Sequence, residues 1–450
     1  MIKSVNPYTQ KEVFKIKELS RDEIDKAIET ADNTFRSWRQ LSFKERSKLM
    51  LLAAKELRNN RLEYAEAITA EMGKPITLAL DEVEKCAWLC EYYAENAESQ
   101  LTDRTVATEA KESYVTNEPL GVILAVMPWN YPLWQVFRFA VPALMAGNVG
   151  ILKHASNVMQ CAENIQKVFE RAGFPKGCFT NLPVRSGEVE GILRDRRVKA
   201  AALTGSNGAG SSVASIAGSE IKKTVLELGG SNALVVLDDA DIDASVKTCV
   251  ESRFQNTGQS CIAGKRLLLH KAIAEEFTEK FVAAVKALKS GDPMDKDTYI
   301  GTMSREDLAQ ELEELVQESV KQGAKVLVGG KRDKAYLEPT VVGNVTSQMS
   351  VFTDETFGPV IGITIFETDE EAVALVNDSV YGLGVSLFTE DFDRAKSFIP
   401  KLEQGSVFIN ERVKSDPRLP FGGVKSSGYG RELSAEGIQE FVNKKTVYFK

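Results

Sequence analysis

Apolar positions recur every three to four residues along the first hundred residues. Ile24, Ala27 and Ile28 follow Ser20-Arg-Asp-Glu23, the spelling of a capping box, and the helical period continues to about Ser99. This stretch predicts helical covering material. The period breaks over 102–118, where Ser113-Tyr-Val-Thr116 alternates like an exposed strand, so a hairpin or edge excursion is expected. From Gly121 the pattern becomes short apolar runs alternating with helices. It predicts a strand over 121–127 ending at Pro128, a helix through 141–147, a strand over 148–153, an amphipathic helix over 156–172 stopped by Gly173, and a strand over 198–203 entering a glycine-rich turn. A second series begins near Leu228, with strands over 232–237, 266–270 and 325–328, a helix over 241–254 and a long helix from about Ala274. Alternation of this kind predicts an α/β chain with two doubly wound parallel-sheet domains. The β-prone segment 445–450 predicts a strand that pairs with another segment or with a second subunit.

Composition narrows the chemistry. A chain of 450 residues, 43% hydrophobic and 27% charged, is large enough for more than one core and is not disordered in character. Lys+Arg 56 against Asp+Glu 64 gives a formal charge of −8, which disfavours nucleic acid and anionic membranes as partners. No apolar stretch reaches the 18 or so residues of a membrane span. Only two histidines occur, His154 and His270, and no HExxH pair, so no metal site is expected and another residue type must move protons. The six cysteines form no CxxC pair, which fits a reducing, cytoplasmic setting better than a disulfide framework.

Four segments carry candidate chemistry. Thr204-Gly-Ser-Asn-Gly-Ala-Gly210 follows a strand and precedes a helix, where backbone N–H groups can approach a phosphate; an ordinary glycine turn reads equally well. In Gln255-Asn-Thr-Gly-Gln-Ser-Cys261 a lone thiol sits among small and amide-bearing residues, as a nucleophile requires, with a structural cysteine as the alternative. Glu227 ends an apolar segment before Gly229-Gly230 and would be a general base if buried, or an edge glutamate facing solvent. Met127-Pro-Trp-Asn130 lies at the C-terminal end of a parallel strand, where open α/β sheets bind ligands, though a proline-bounded turn has the same spelling.

Taken together, Pro128-Trp-Asn130, Lys153, Thr204-Gly-Ser206, Glu227-Leu-Gly-Gly230, Gly258-Gln-Ser-Cys261, Glu355-Thr-Phe-Gly-Pro359 and Pro420-Phe-Gly-Gly423 resemble, in order and spacing, the NAD(P)-dependent aldehyde dehydrogenase superfamily. The resemblance extends over most of the chain. It implies a dinucleotide-binding domain over 1–101 and 119–226, a catalytic domain over 227–433, and a small β oligomerisation element from 102–118 and 434–450, giving a homodimer or homotetramer. It makes Cys261 the nucleophile, Asn130 with the Cys261 backbone N–H the oxyanion hole, and Glu227 the base that activates water against a thioester. The cofactor would lie along Met127, Pro128, Trp129, Lys153, His154, Ser156, Gly205, Ser206, Leu228, Glu355 and Phe357. Relatives restricted to NAD often carry a glutamate where this chain has Ser156, so the resemblance implies that NADP is accepted and preferred, with NAD as the second cofactor. His154 stands where many relatives have proline.

The spelling Lys153-His-Ala-Ser156 and Val424-Lys-Ser-Ser-Gly-Tyr-Gly looks most like bacterial succinate-semialdehyde dehydrogenases. That likeness implies an aldehyde with a carboxylate tail, received by Arg138 beside Trp134, with Arg412, Ser415 and Arg418 as further candidates in the loop before Pro420. A second arginine that some of those enzymes carry is here Gln255, and a second cysteine two residues after the nucleophile is here Ala263. A CoA-acylating relative or a non-enzymatic binding protein on the same scaffold are the alternatives; both are expected to have lost Glu227 or Cys261, and both residues are present.

Overall fold

A computed structural model describes residues 1–450. The predicted helical stretch is four helices, Arg21–Trp38, Phe43–Asn59, Arg61–Met72 and Ile76–Gln100. Ser20 accepts a hydrogen bond from the Glu23 N–H while the Glu23 carboxylate accepts from the Ser20 N–H, so the capping box forms; Ser42 and Glu45 build a second one. Ile24, Ile28, Ala31 and Trp38 face the core from the first helix. The inward stripe of helix Ile76–Gln100 is mostly apolar, through Ala79, Val83, Cys86, Leu89 and Tyr93, but it also buries Glu82. A carboxylate there needs partners. It forms an ion pair with the fully buried Lys74, and its Oε1 accepts the N–H groups of Leu133 and Trp134 at 2.9 and 3.0 Å, at the start of helix Trp134–Met145.

These helices cover a six-stranded sheet ordered Phe179–Asn181, Val149–His154, Val122–Met127, Val198–Thr204, Lys223–Glu227 and Gly428–Tyr429. The first five strands run parallel and the last is antiparallel. Sequence order reverses at Val122–Met127, whose two neighbours lead to opposite sides of the sheet. A crevice therefore opens beyond the carboxyl ends of Val122–Met127 and Val198–Thr204. Residues 428–429, inside the span expected for the catalytic domain, pair with Lys223–Glu227 of this sheet instead.

A seven-stranded sheet follows, ordered Lys325–Val328, Thr340–Gly343, Val360–Phe366, Gly264–His270, Asn232–Val236, Val385–Phe388 and Val407–Ile409, parallel except for the first edge strand. Separate apolar cores lie on its two faces. The predicted edge excursion and the terminal β segment meet: Val442–Phe449 pairs antiparallel with Glu112–Pro119, which pairs with Arg104–Thr105. No helix is long and apolar enough to cross a membrane.

Two local expectations change. The helix expected from Ser156 begins at Met159, because the buried Glu71 carboxylate accepts the N–H groups of Gln160 and Cys161 and fixes the first turn there. Ser156 is left in the turn before it. The glycine-rich segment after Thr204 is not a turn throughout: helix Asn207–Ser219 starts at once, capped by Ser206, and takes in Gly208 and Gly210. Gly210 is small because a Cβ there would come within 2.6 Å of the Leu228 side chain.

Candidate active site

The thiol of Cys261 is carried by the loop between helix Ile242–Phe254 and strand Gly264–His270, and this loop is held by hydrogen bonds that the sequence motif does not advertise. Arg253, fully buried, donates to the carbonyls of Gly258 at 2.6 Å, Gly264 and Thr356 at 3.2 Å each, and Gly358. One guanidinium thus ties the thiol loop to the Glu355-Thr-Phe-Gly segment. Asn256 and Thr257 take left-handed backbone angles, φ 56° and 55°, and Gly258 follows at φ 72°, where a Cβ would meet Gly358 O at 2.3 Å. The Asn256 amide donates to the carbonyls of Asn130 at 3.0 Å and Gln259 at 3.1 Å, and the Asn130 amide donates to the same Gln259 carbonyl at 3.2 Å. Asn130 and the thiol loop are consequently one unit, although 131 positions separate Asn130 from Cys261 in sequence.

Five of the six cysteines are buried, and Cys261 alone is partly exposed. Burial pushes its thiol up to about 11; the charges of Arg138 and Lys265 pull it down, and those of Glu355 and Glu227 push it up. Lys265 is buried among oxygens, donating to Cys261 O at 3.0 Å, Glu355 Oε1 at 2.8 Å and the Gly230 carbonyl. Glu227 ends strand Lys223–Glu227, is 3% exposed, and its Oε1 has no hydrogen-bond partner. Burial drives this carboxyl far above the ordinary glutamate range, opposed by the Arg138 charge and reinforced by Glu432. Gly422 leaves room for it, since a Cβ at that position would lie 2.8 Å from Glu227 Oε1.

The crevice gathers most of the residues expected along the cofactor. Met127, Pro128 and Trp129 leave the end of strand Val122–Met127, and Gly205 and Ser206 leave the end of Val198–Thr204. The Trp129 ring meets Phe357 edge to face at 5.8 Å. Glu355 Oε1 accepts the Gly230 N–H at 3.0 Å, and Leu228 packs against Gly210. Lys153, at the end of Val149–His154, is half-buried; burial lowers its pKa and no acidic neighbour opposes the shift. A half-buried cation with no ion-pair partner, three positions before Ser156 in the chain, suits an anionic ligand. His154 departs from expectation. Its side chain is 0% exposed; Nδ1 lies 2.9 Å from the Ala155 nitrogen and 3.2 Å from the Met127 carbonyl oxygen, and Nε2 lies 2.9 Å from the Pro132 carbonyl oxygen. Burial holds the ring neutral, with a pKa of about 4. It braces the segment 127–132 from below and does not reach the crevice.

From Cys261 a cavity of about 420 Å³ runs between helices Ile76–Gln100 and Trp134–Met145 and the loop 412–416. Trp134, Arg138, Arg412 and Ser415 line it as expected, Gln255 does so where some relatives are expected to carry a second arginine, and Lys85 and Tyr131 do so without having been anticipated. Arg418 does not line the cavity: it is exposed, binds Asp416 at 2.6 Å and lies over the Trp88 ring. Arg138 lies on the wall, but its Nε forms an ion pair with the buried Glu432, and its guanidinium stacks on Phe421 at 4.4 Å. Lys85 was findable in principle. Leu78, Asp81, Glu82, Lys85 and Trp88 follow a three-to-four spacing on one helix face, and two charges interrupt the inward part of that face.

Comparison with known proteins identifies the family. The family described as "Aldehyde dehydrogenase family" matches residues 1–447. A Synechocystis protein named "Probable succinate-semialdehyde dehydrogenase [NADP(+)]" is 47% identical over 99% of both chains, and a Mycobacterium tuberculosis protein named "Succinate-semialdehyde dehydrogenase [NADP(+)] 1" is 49% identical over 99% of both. A solved structure of succinic semialdehyde dehydrogenase from Streptococcus pyogenes, in complex with NADP+, superposes with a TM-score of 0.97 at 36% identity, covering 100% of both chains. With a parallel-sheet crevice, a thiol loop fastened to it and a family match along nearly its whole length, the chain belongs to the aldehyde dehydrogenase family.

Proposed function

We propose that the protein oxidises succinate semialdehyde to succinate with NADP as the preferred cofactor. The observation that carries this reading is the cavity: its one cysteine, Cys261, shares the space with Lys85, Arg138, Arg412 and Ser415, a wall suited to an aldehyde whose far end is anionic. The names of the similar proteins point the same way.

NADP fits the crevice residues. Lys153 and Ser156 would receive the adenosine ribose and its 2′-phosphate, Ser206 and the start of helix Asn207–Ser219 the pyrophosphate, and Glu355 with Phe357 the nicotinamide ribose. Ser156 brings no negative charge against a 2′-phosphate, and Lys153 has no acid of its own to satisfy. When bound, the cofactor supplies the acceptor for the hydride leaving the substrate carbon.

The protein's own residues account for the rest. The Cys261 sulfur, as thiolate, bonds to the aldehyde carbon, and the carbonyl oxygen takes the negative charge. The Cys261 N–H, which has no acceptor, and the second amide hydrogen of Asn130 are the donors for that oxygen. Loss of hydride leaves an acyl group on Cys261. Glu227, ionised, takes a proton from water as the water oxygen bonds to the acyl carbon, and the C–S bond breaks to return the thiolate. A carboxyl whose pKa burial has raised well above the ordinary glutamate range binds that proton more readily than a surface glutamate does.

We assign 1–101 and 119–226 to cofactor binding and 227–433 to the catalytic domain. Residues 102–118 and 434–450, which supply nearly all of the three-stranded sheet Arg104–Thr105, Glu112–Pro119 and Val442–Phe449, serve homo-oligomer formation, since strand Val442–Phe449 leaves one edge unpaired with Tyr448 and Phe449 half exposed. Six free thiols support a reducing, cytoplasmic setting.

The deciding experiment is steady-state kinetics with succinate semialdehyde and with butanal, a neutral aldehyde of the same carbon count, each with NADP and NAD. Succinate semialdehyde with NADP should give the highest kcat/KM, by at least about tenfold over butanal, the scale of one charged contact. Equal efficiency on butanal would overturn the substrate assignment, and acceleration by added CoA would overturn hydrolysis by Glu227.

A further inference from the structure

We infer that Lys265 is a positioning residue for the nucleophile: its buried ammonium holds the Cys261 carbonyl in place and favours the thiolate, while the Glu355 carboxylate is the counter-charge that limits this effect. The inference rests on the reading of Cys261 as the nucleophile.

Three stretches of chain meet at this ammonium. Lys265 is the second residue of strand Gly264–His270, four positions after the thiol, and its side chain is 0% exposed. Its Nζ donates to the Gly230 carbonyl, three positions beyond Glu227, to the Cys261 carbonyl at 3.0 Å and to Glu355 Oε1 at 2.8 Å, so all three of its hydrogens are engaged. The Phe357 ring lies 5.7 Å away on another side. So close an approach depends on missing side chains. A Cβ on Gly230 would come within 2.7 Å of Cys261 O, and one on Gly229 within 2.5 Å of Glu355 Oε2. The two glycines after Leu228 therefore admit the nucleophile's carbonyl and the carboxylate to one small space, and Lys265 is the cation inside it.

A neutral donor would be enough to hold two carbonyls, and it would avoid the larger desolvation cost of a buried ammonium. Glu355, whose side chain is 18% exposed, offsets part of that cost but also cancels part of the field. What the charge adds is a positive potential at the residue whose carbonyl it contacts, and such a potential stabilises the ionised sulfur. The charges facing the thiol come from four elements: Arg138 and Lys265 favour the thiolate, and Glu355 and Glu227 oppose it. Of the two cations, Lys265 alone is bonded to the cysteine itself, through the carbonyl. Lys265 in turn faces Glu355, Arg253 and the thiol. Its partner Glu355 also accepts the Gly230 N–H at 3.0 Å, which keeps the counter-charge fixed beside the ammonium.

The test is the rate at which iodoacetamide alkylates Cys261 in the intact protein without cofactor, at about pH 7 and pH 8, with the labelled peptide identified by mass spectrometry. The other five thiols are buried, so label at Cys261 is resolved from them. Lys265→Met should slow alkylation by about tenfold at both pH values, as expected when loss of the cation raises the thiol pKa by about one unit. Lys265→Met combined with Glu355→Gln removes both charges and should react at least about threefold faster than Lys265→Met alone, because the anion that opposes ionisation has gone as well. A role confined to holding the loop predicts the reverse, a further loss in the double variant. Alkylation of Lys265→Met at the wild-type rate, or a double variant slower than the single one, overturns the inference and leaves the nucleophile reading intact. Aldehyde oxidation that persists after Cys261 is fully labelled overturns the nucleophile reading itself. Melting curves identify a variant that has not folded, and Lys265→Gln, which keeps a neutral donor and drops the charge, then supplies the same comparison.

Discussion

The two ends of the cavity handle charge in opposite ways. Around the thiol, Cys261 on the cavity wall and Glu227 behind it are acids whose ionised forms are disfavoured by burial, and side chains fasten the thiol loop: Arg253 on four carbonyls, Lys265 on three oxygens, and the Asn130 and Asn256 amides on the Gln259 carbonyl. At the distal end, Lys85 and Arg412 are cations with only neutral partners. The difference separates chemistry from selection. Burial disfavours the charged form at both places, but the acids near the thiol lie beside opposite charges, whereas the distal cations have only neutral acceptors and suit an arriving anion.

The comparison can be broken most severely at its reacting end. Cys261→Ala should lower kcat by at least about 10⁴-fold on every aldehyde, because without the sulfur no covalent step remains; comparable losses on neutral and acid-tailed substrates, measured as NADPH formation, check that this end does not discriminate. Glu227→Gln should slow turnover by about 10²–10⁴-fold while still releasing a burst of about one NADPH per active site, since the acyl group forms before the base is needed. Rapid-quench kinetics without such a burst would place Glu227 earlier in the reaction.

Smaller changes sharpen the contrast. Ser156→Glu sets a carboxylate where a 2′-phosphate would lie and should shift the NADP-to-NAD efficiency ratio toward NAD by roughly 10- to 100-fold, with the substrate ratio unmoved. His154→Ala should cost about 1–3 kcal/mol of stability by removing a buried hydrogen bond, seen as a lower Tm. With a folded pKa of about 4 against an ordinary 6.5, the neutral ring contributes fully above pH 6.5, and its contribution is lost as pH falls toward 4. The wild type should therefore lose more stability than His154→Ala on acidification across that window.

Much of the fold was legible because its signals are local. The capping box at Ser20, the apolar runs ending at Met127, Lys153 and Leu203, and the helix expected over 241–254, which runs Ile242–Phe254, each depend on neighbours within a few residues. What escaped depends on pairing across the chain. The charge of Arg138 reads as free until Glu432, 294 positions later, is seen beside it. Likewise His154 looks like a cofactor neighbour from its place after Lys153, and only the Pro132 carbonyl on its Nε2 shows that strand alternation turns it away from the crevice. Lys85 escaped because a single lysine in a long helix ordinarily faces solvent. Family spelling located the thiol, the glutamate and the asparagine, but it carries no information on Arg253 or Lys265, whose partners are backbone carbonyls that any sequence would offer.

The returning strand Gly428–Tyr429 bears on how the protein is made. It covers the outer edge of Lys223–Glu227, and Ser427 nearby donates to the Gly229 carbonyl at 2.6 Å across 198 positions of sequence. During synthesis the first five strands leave the ribosome early and can assemble, but the edge that ends in Glu227 stays open until residues 427–429 emerge. For that interval the nascent chain presents an unpaired strand with a buried-type carboxyl at its tip, a surface on which chaperones or a neighbouring nascent chain can act before the enzyme has closed its own sheet.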